Sequence, residues 1–187
     1  MSWISNLQPN LLLGAPIFSL TPDLLKHHQL KGLVLDVDDT IVPLRVAQAS
    51  DELRYWIEEI RPVASVWLVS NNLSQTRISG IANSLNLPYL LGARKPSRRK
   101  LKKAVEAMNL PVQQVAMVGD RLFTDVLAGN RLGMFTILVE PMLDPAVTNP
   151  SNLTRDFEVR VSQALGVPLS ALQHNFNNPE ETRQTEI

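Results

Sequence analysis

The chain has 187 residues, long enough for one domain with a sizeable core, and its composition is that of an ordinary globular protein. Eighteen Lys and Arg balance eighteen Asp and Glu, so no global field favours nucleic acid, and no nucleic-acid partner is expected. The absence of cysteine excludes disulfides, zinc–thiolate centres and a cysteine nucleophile.

No apolar run approaches the roughly 18 residues of a membrane span. The start, Met1-Ser2-Trp3-Ile4-Ser5-Asn6, lacks the basic region of a secretory leader, so a cytoplasmic protein is expected. Residues 1–20 are apolar but broken by Pro9, Gly14 and Pro16. Trp3, Ile4, Leu7 and the run Leu11, Leu12, Leu13 can cover an edge of the domain or lie on a membrane surface. Thr21 caps a short helix over about 22–29, with Pro22 at its first position. His27 and His28 sit side by side on it, point about 100° apart, and do not converge on one metal.

A strand over 32–36 follows, then a loop or flap through Ile41, Val42, Pro43 and Leu44. Ser50 caps a helix near 51–61 whose Leu53, Trp56, Ile57 and Ile60 share one face. Pro62 ends it, and a strand over 64–69 runs into Ser70-Asn71-Asn72. A helix at about 74–85 leads to a short edge strand at 87–91 and then to Gly92-Ala93-Arg94-Lys95-Pro96. Leu101, Ala104, Val105 and Met108 give the next segment a helical core stripe. A strand over 114–118 enters Gly119-Asp120-Arg121-Leu122-Phe123-Thr124-Asp125, where Gly119 permits a tight turn. The helix after it stops at Gly133, a left-handed C-terminal position, and a strand occupies 134–139. Pro141, Pro145 and Pro150 mark a loop. Ser151 or Thr154 starts a last helix to about 165, and residues 174–187 have the composition of a disordered tail.

The chemistry concentrates at strand ends. Leu33-Val34-Leu35 runs straight into Asp36-Val37-Asp38-Asp39-Thr40. Nothing in a strand requires clustered carboxylates at its end, and they repel unless a cation or a shared proton compensates. The carboxyl ends of parallel strands are where open α/β sheets hold ligands. Ser70 ends the next strand, where by itself it reads as a turn residue and cap. Lys95 follows the short edge strand, and Asp120 follows Gly119 at the end of the strand over 114–118. Asp125 lies in the first turn of the following helix, where it favours the helix dipole.

These segments, in this order, resemble the four motifs of the haloacid dehalogenase (HAD) superfamily of phosphatases. Gly32 to Pro43, Val69-Ser70-Asn71-Asn72, Ala93-Arg94-Lys95-Pro96 and Val118 to Asp125 are most similar to the YqeG-like branch of subclass IIIA. That branch includes mitochondrial and plastid phosphatidylglycerophosphate phosphatases. The resemblance implies an α/β fold with a doubly wound parallel sheet of order 5-4-1-2-3, spanning 30–166. Residues 1–29 then form an extension and short helix packed on that domain, and 167–187 a tail. It implies that Asp36 attacks phosphorus, that Asp38 acts as general acid and base, and that Lys95 stabilises the transferring group. Thr40, Ser70 and Asn71 would bind substrate, and Asp36, Asp38, Asp120 and Asp125 would hold Mg2+.

About thirty residues separate Asp39 from Ser70 and about twenty-five separate Ser70 from Lys95, which leaves no room for a cap domain. An open site favours a phosphomonoester that is large or held at a surface. Seven basic residues between Arg94 and Lys103 make either a solvated face or an attraction to anionic phospholipid, with peripheral membrane contact. The expected reaction is therefore magnesium-dependent hydrolysis of a phosphomonoester, with phosphatidylglycerophosphate as the favoured substrate. A soluble sugar phosphate, a phosphoprotein or a nucleic-acid end, a non-catalytic binding module, and a calcium module are the alternatives. The last lacks the twelve-residue ligand pattern of an EF-hand.

Overall fold

In the computed structural model of the protein, residues 6–142 are described; Trp3, Ile4, the expected helix after Ser151 and the tail lie outside them. Two strands, β2 (Gly32–Leu35) and β5 (Val115–Gly119), are buried at every position. Short continuous apolar runs of this kind suit the centre of a parallel sheet, which is covered on both faces. β2 pairs in parallel with β5 on one side and with β3 (Ser65–Val69) on the other. β4 (Tyr89–Leu90) extends the sheet beyond β3, and β6 (Phe135–Leu138) extends it beyond β5. The five strands thus follow the expected order.

A sixth strand lies outside the expected set. β1 (Leu11–Leu12) pairs in parallel with β6 at the sheet edge, Leu11 opposite Ile137 and Leu12 opposite Leu138. Asn10 secures it: its Oδ1 accepts from the Thr136 backbone N–H at 2.8 Å, and the Thr136 hydroxyl accepts from the Asn10 N–H at 3.1 Å. Leu7, Leu11 and Leu12 are buried in the fold, so they contribute nothing to the membrane surface that their composition suggests.

Alternation along β2 divides the core. Leu33 and Leu35 pack with α2 (Asp51–Ile60) and α3 (Gln75–Ser84), through Leu53, Trp56, Ile57, Ile60, Ile78 and Ile81. Val34 packs on the opposite side with Leu101, Ala104 and Val105 of α4 (Arg99–Met108) and Ala128 of α5 (Leu127–Leu132). A period-two strand that is apolar on both faces requires helices on both faces, which is the doubly wound arrangement. α1 (Pro22–His27) is shorter than expected; the Thr21 hydroxyl caps it by accepting from the Leu24 N–H at 3.3 Å. Gly133 ends α5 in the left-handed region at φ 83°. Asp125 lies not in a regular α-helical first turn but in a single wide π-helical turn, Leu122–Val126, just before α5. No helix among the described residues is long and apolar enough to cross a membrane.

Candidate active site

Register brings the strand ends together. Leu35 is level with Leu68 on one side and with Val118 on the other. Asp36 therefore leaves β2 beside Val69 and Gly119, with Ser70 and Asp120 one residue further along their own strands. Between β2 and β3 stand only a loop and α2, and between β3 and β4 only α3. Among the described residues, no inserted domain covers this edge.

The loop after β2 folds back on itself. The Ile41 and Val42 N–H groups both donate to the Val37 carbonyl at 3.2 Å, and the Asp39 N–H donates to the Val42 carbonyl at 2.9 Å. Asp39 adopts φ 62°, a left-handed conformation that Asp tolerates better than most residues. Its carboxylate accepts from the Leu44 N–H at 2.9 Å, which anchors the flap. Asp36 and Asp38 are left buried on the inner side.

Lys95, also buried, reaches this group from the loop after β4. Its Nζ donates to Asp36 Oδ1 at 2.6 Å and is ion-paired with Asp125 Oδ1 at 2.7 Å. The Asn71 side chain holds the Lys95 backbone from both sides, accepting from its N–H at 2.7 Å and donating to its carbonyl at 3.3 Å. The Thr40 hydroxyl donates to Asp120 Oδ1 at 3.0 Å. The Ser70 hydroxyl donates to Asp38 Oδ2 at 3.2 Å and accepts from the Asn72 N–H at 2.9 Å. Thr40 and Asn71 thus each orient a charged neighbour.

Asp36, Asp120 and Asp125 each present a carboxylate oxygen within 4.8 Å of the others. Burial pushes the Asp36 carboxyl up to about 7; Asp125 and Asp120 add to the rise, and Lys95 opposes it. Burial also pushes Asp120 up to about 6, helped by Asp125 and opposed by Arg121 and Thr40. For Lys95, burial alone would lower the ammonium, but the Asp125 and Asp36 carboxylates outweigh it and hold Lys95 above its ordinary value. One buried ammonium for three carboxylates leaves negative charge that an added cation would offset. An oxygen-only donor set fits a hard divalent ion.

Gly119 makes this packing possible, for a reason other than the turn. A Cβ there would lie 2.4 Å from Asp125 Cγ and Oδ2. The glycine is the space that Asp125 occupies.

Two arginines stand at the site without having been expected there. Arg77, on α3, ion-pairs with Asp38 Oδ1. Arg121 lies 3.5 Å from Asp39 and 3.7 Å from Asp120. The position of Arg121 inside the last motif is a usable sequence signal. Arg77 carries none, since it reads as one more polar residue of a helix.

Residues 92–141, from the loop before Lys95 to just past β6, match the family profile described as HAD-hydrolase-like. Sheet order and strand-end acids point to the same class, a phosphatase of haloacid dehalogenase type. Over 152 residues the chain is 37% identical to the protein named probable phosphatase YqeG of Bacillus subtilis, covering 80% of this chain and 86% of that one. The chain belongs to this YqeG family of HAD-like phosphatases. It is also 31% identical over 127 residues to phosphatidylglycerophosphate phosphatase 1 of the Chlamydomonas reinhardtii chloroplast, spanning 63% of this chain and only 47% of that protein. Among solved structures, the cobalt-bound deoxy-D-mannose-octulosonate 8-phosphate phosphatase of Haemophilus influenzae is similar at a TM-score of 0.48 and 14% identity, covering 75% of this chain and 92% of that one.

Proposed function

We propose that the protein is a magnesium-dependent phosphomonoester hydrolase that works through an aspartyl phosphate on Asp36, with phosphatidylglycerophosphate as substrate. The observation that carries the reaction is the buried lysine between two carboxylates, Lys95 at 2.6 Å from Asp36 and 2.7 Å from Asp125. It places positive charge beside the attacking carboxylate, where the phosphoryl group must arrive. In the first step a carboxylate oxygen of Asp36 attacks phosphorus. The bond to the alcohol oxygen breaks, and Asp38 gives that oxygen its proton. In the second step Asp38 takes a proton from water, the resulting hydroxide attacks phosphorus, and the Asp36–phosphorus bond breaks to release inorganic phosphate. Ser70 and Lys95 stabilise the transferring oxygens in both steps.

Asp36, Asp120 and Asp125, with the Asp38 backbone carbonyl, would hold magnesium. When bound, the ion supplies charge that screens these carboxylates from the phosphate.

The lipid substrate is supported by the chloroplast relative and by the surface around the open edge. Of the basic run, Lys95 is buried and Lys100 donates to the Leu91 carbonyl. Arg94, Arg98, Arg99, Lys102 and Lys103 remain exposed. Leu44 and Leu73 are exposed on the loops that follow β2 and β3, and Phe123 on the π-helical turn after β5. A bilayer could cover an edge of this composition as a cap domain would.

The test is phosphate release from phosphatidylglycerophosphate in vesicles and from soluble sugar phosphates, with and without magnesium, for the natural protein and Asp36→Asn. Magnesium-dependent release that is fastest on the lipid, and absent in Asp36→Asn, is expected. Faster turnover of a sugar phosphate would remove the lipid reading and leave the phosphatase; full activity of Asp36→Asn would remove the covalent mechanism.

A further inference from the structure

We infer that Arg77 is a positioning residue for the proton transfer assigned to Asp38, and that it ties this acid to the flap; the inference rests on the mechanism proposed above. The Arg77 guanidinium spends its donors in three directions. Nη1 ion-pairs with Asp38 Oδ1, Nε donates to the Val46 carbonyl at 2.9 Å, and Nη2 donates to the Pro43 carbonyl at 3.2 Å. Pro43 and Val46 belong to the loop between β2 and α2, and the Val46 N–H donates to the Pro43 carbonyl at 2.9 Å, so the flap carbonyls are set relative to each other. The Asp38 carboxylate is thereby held at both oxygens, by Arg77 at Oδ1 and by Ser70 at Oδ2. The pair is shielded, with the Arg77 and Asp38 side chains only 13% and 12% exposed.

A carboxylate held at one oxygen pivots about that contact. One held at both keeps its plane, and proton transfer to a leaving oxygen depends on that plane. Arginine suits the task because its planar fork bonds several acceptors at fixed angles, and because it keeps its own proton at any working pH. A lysine offers one compact charge and cannot span Asp38, Pro43 and Val46 together. Arg77 thus fixes the acid and the flap in a single frame.

Leaving groups of different acidity test this. An alkyl phosphate needs its departing oxygen protonated, whereas 2,4-dinitrophenyl phosphate does not. The ratio kcat/KM covers only the steps through aspartyl-phosphate formation, so it isolates the acid role. For Arg77→Met, kcat/KM should fall about 100-fold on the alkyl ester and less than about threefold on the dinitrophenyl ester. Arg77→Lys, which keeps the charge and the helix, should show the same split to a smaller degree, and it serves where Arg77→Met does not fold. Asp38→Asn should show the split as well, and adding Arg77→Met to it should cost little more, because the two residues act as one unit. Equal losses on both esters in the Arg77 variants, or fully additive losses in the double variant, would overturn the assignment. If Asp38→Asn itself shows no split, the acid role of Asp38 fails, and this inference with it.

Discussion

Gly119 and Asp125 show how one missing methyl group shapes the acidic cluster. The turn after β5 does not call on the left-handed freedom of glycine, since Gly119 is not among the residues with positive φ. Its role is to leave room for the Asp125 carboxylate, which would otherwise meet a Cβ at 2.4 Å. Gly119→Ala should therefore displace Asp125 from Lys95 and weaken cation binding. The expected outcome is a folded protein, destabilised by about 1–3 kcal/mol, as overpacking generally costs. Its magnesium requirement for half-maximal turnover should rise by about tenfold or more, the range seen when groups supporting a metal site are disturbed. A magnesium titration of activity checks this, and an unchanged midpoint would separate Asp125 from the metal.

At the scale of elements, α4 is the informative case. Its apolar stripe, Leu101, Ala104 and Val105, packs on the sheet, and its other faces are basic. The structure sorts those charges. Arg98 donates to the Arg131 carbonyl at 2.8 Å, and Lys102 lies 3.7 Å from Glu106. Arg99 and Lys103, and Arg94 in the loop before the helix, are exposed and make no side-chain hydrogen bond or ion pair among the described residues. Each basic residue near an anionic bilayer contributes about 1 kcal/mol. Reversing Arg94, Arg99 and Lys103 to Glu should weaken binding to anionic vesicles at low salt by about two orders of magnitude, and leave turnover of a small soluble ester within about twofold. Co-sedimentation with vesicles measures the first and a colorimetric assay the second. Unchanged vesicle binding would show that α4 does not face the membrane.

For the whole molecule, the buried acids link stability to pH and to metal. Burial raises Asp36 to about 7 and Asp120 to about 6 in the folded protein, whereas an unfolded Asp titrates near 3.9. Between about pH 4 and pH 7 the folded state thus holds protons that the unfolded state has released, so stability falls as pH rises through that window. Lys95 does not offset this, because its raised value contributes stability that is present throughout the window and lost only at much higher pH. Without divalent cations, Tm should decline from pH 5 to pH 7.5, and Asp36→Asn should flatten the decline. Magnesium should raise Tm more at pH 7.5 than at pH 5, because protons compete with metal for the carboxylates. Thermal unfolding at the two pH values, with magnesium or with a chelator, gives the comparison. An equal magnesium gain at both would rule out a metal on these acids.

The five-strand order and the convergence of strand ends are legible in the sequence, because both follow from local pattern. Apolar runs such as Leu33-Val34-Leu35 suit buried parallel strands, and the residue after each run emerges at the same edge of the sheet. Asp36, Ser70 and Asp120 are found by that rule. What the sequence leaves open are contacts between distant segments. Leu11 and Leu12 form a strand only because β6, 126 residues further on, offers a free edge, and a two-residue run carries no period of its own. Asn71 reads as a turn residue until the loop after β4 brings the Lys95 backbone to its amide. Arg77 is one polar position on a helix until the flap after β2 folds over it and aims Asp38 at its guanidinium. Local pattern determines which residues reach the sheet edge; tertiary packing decides what their side chains meet there, because those distances depend on the path of the chain between them.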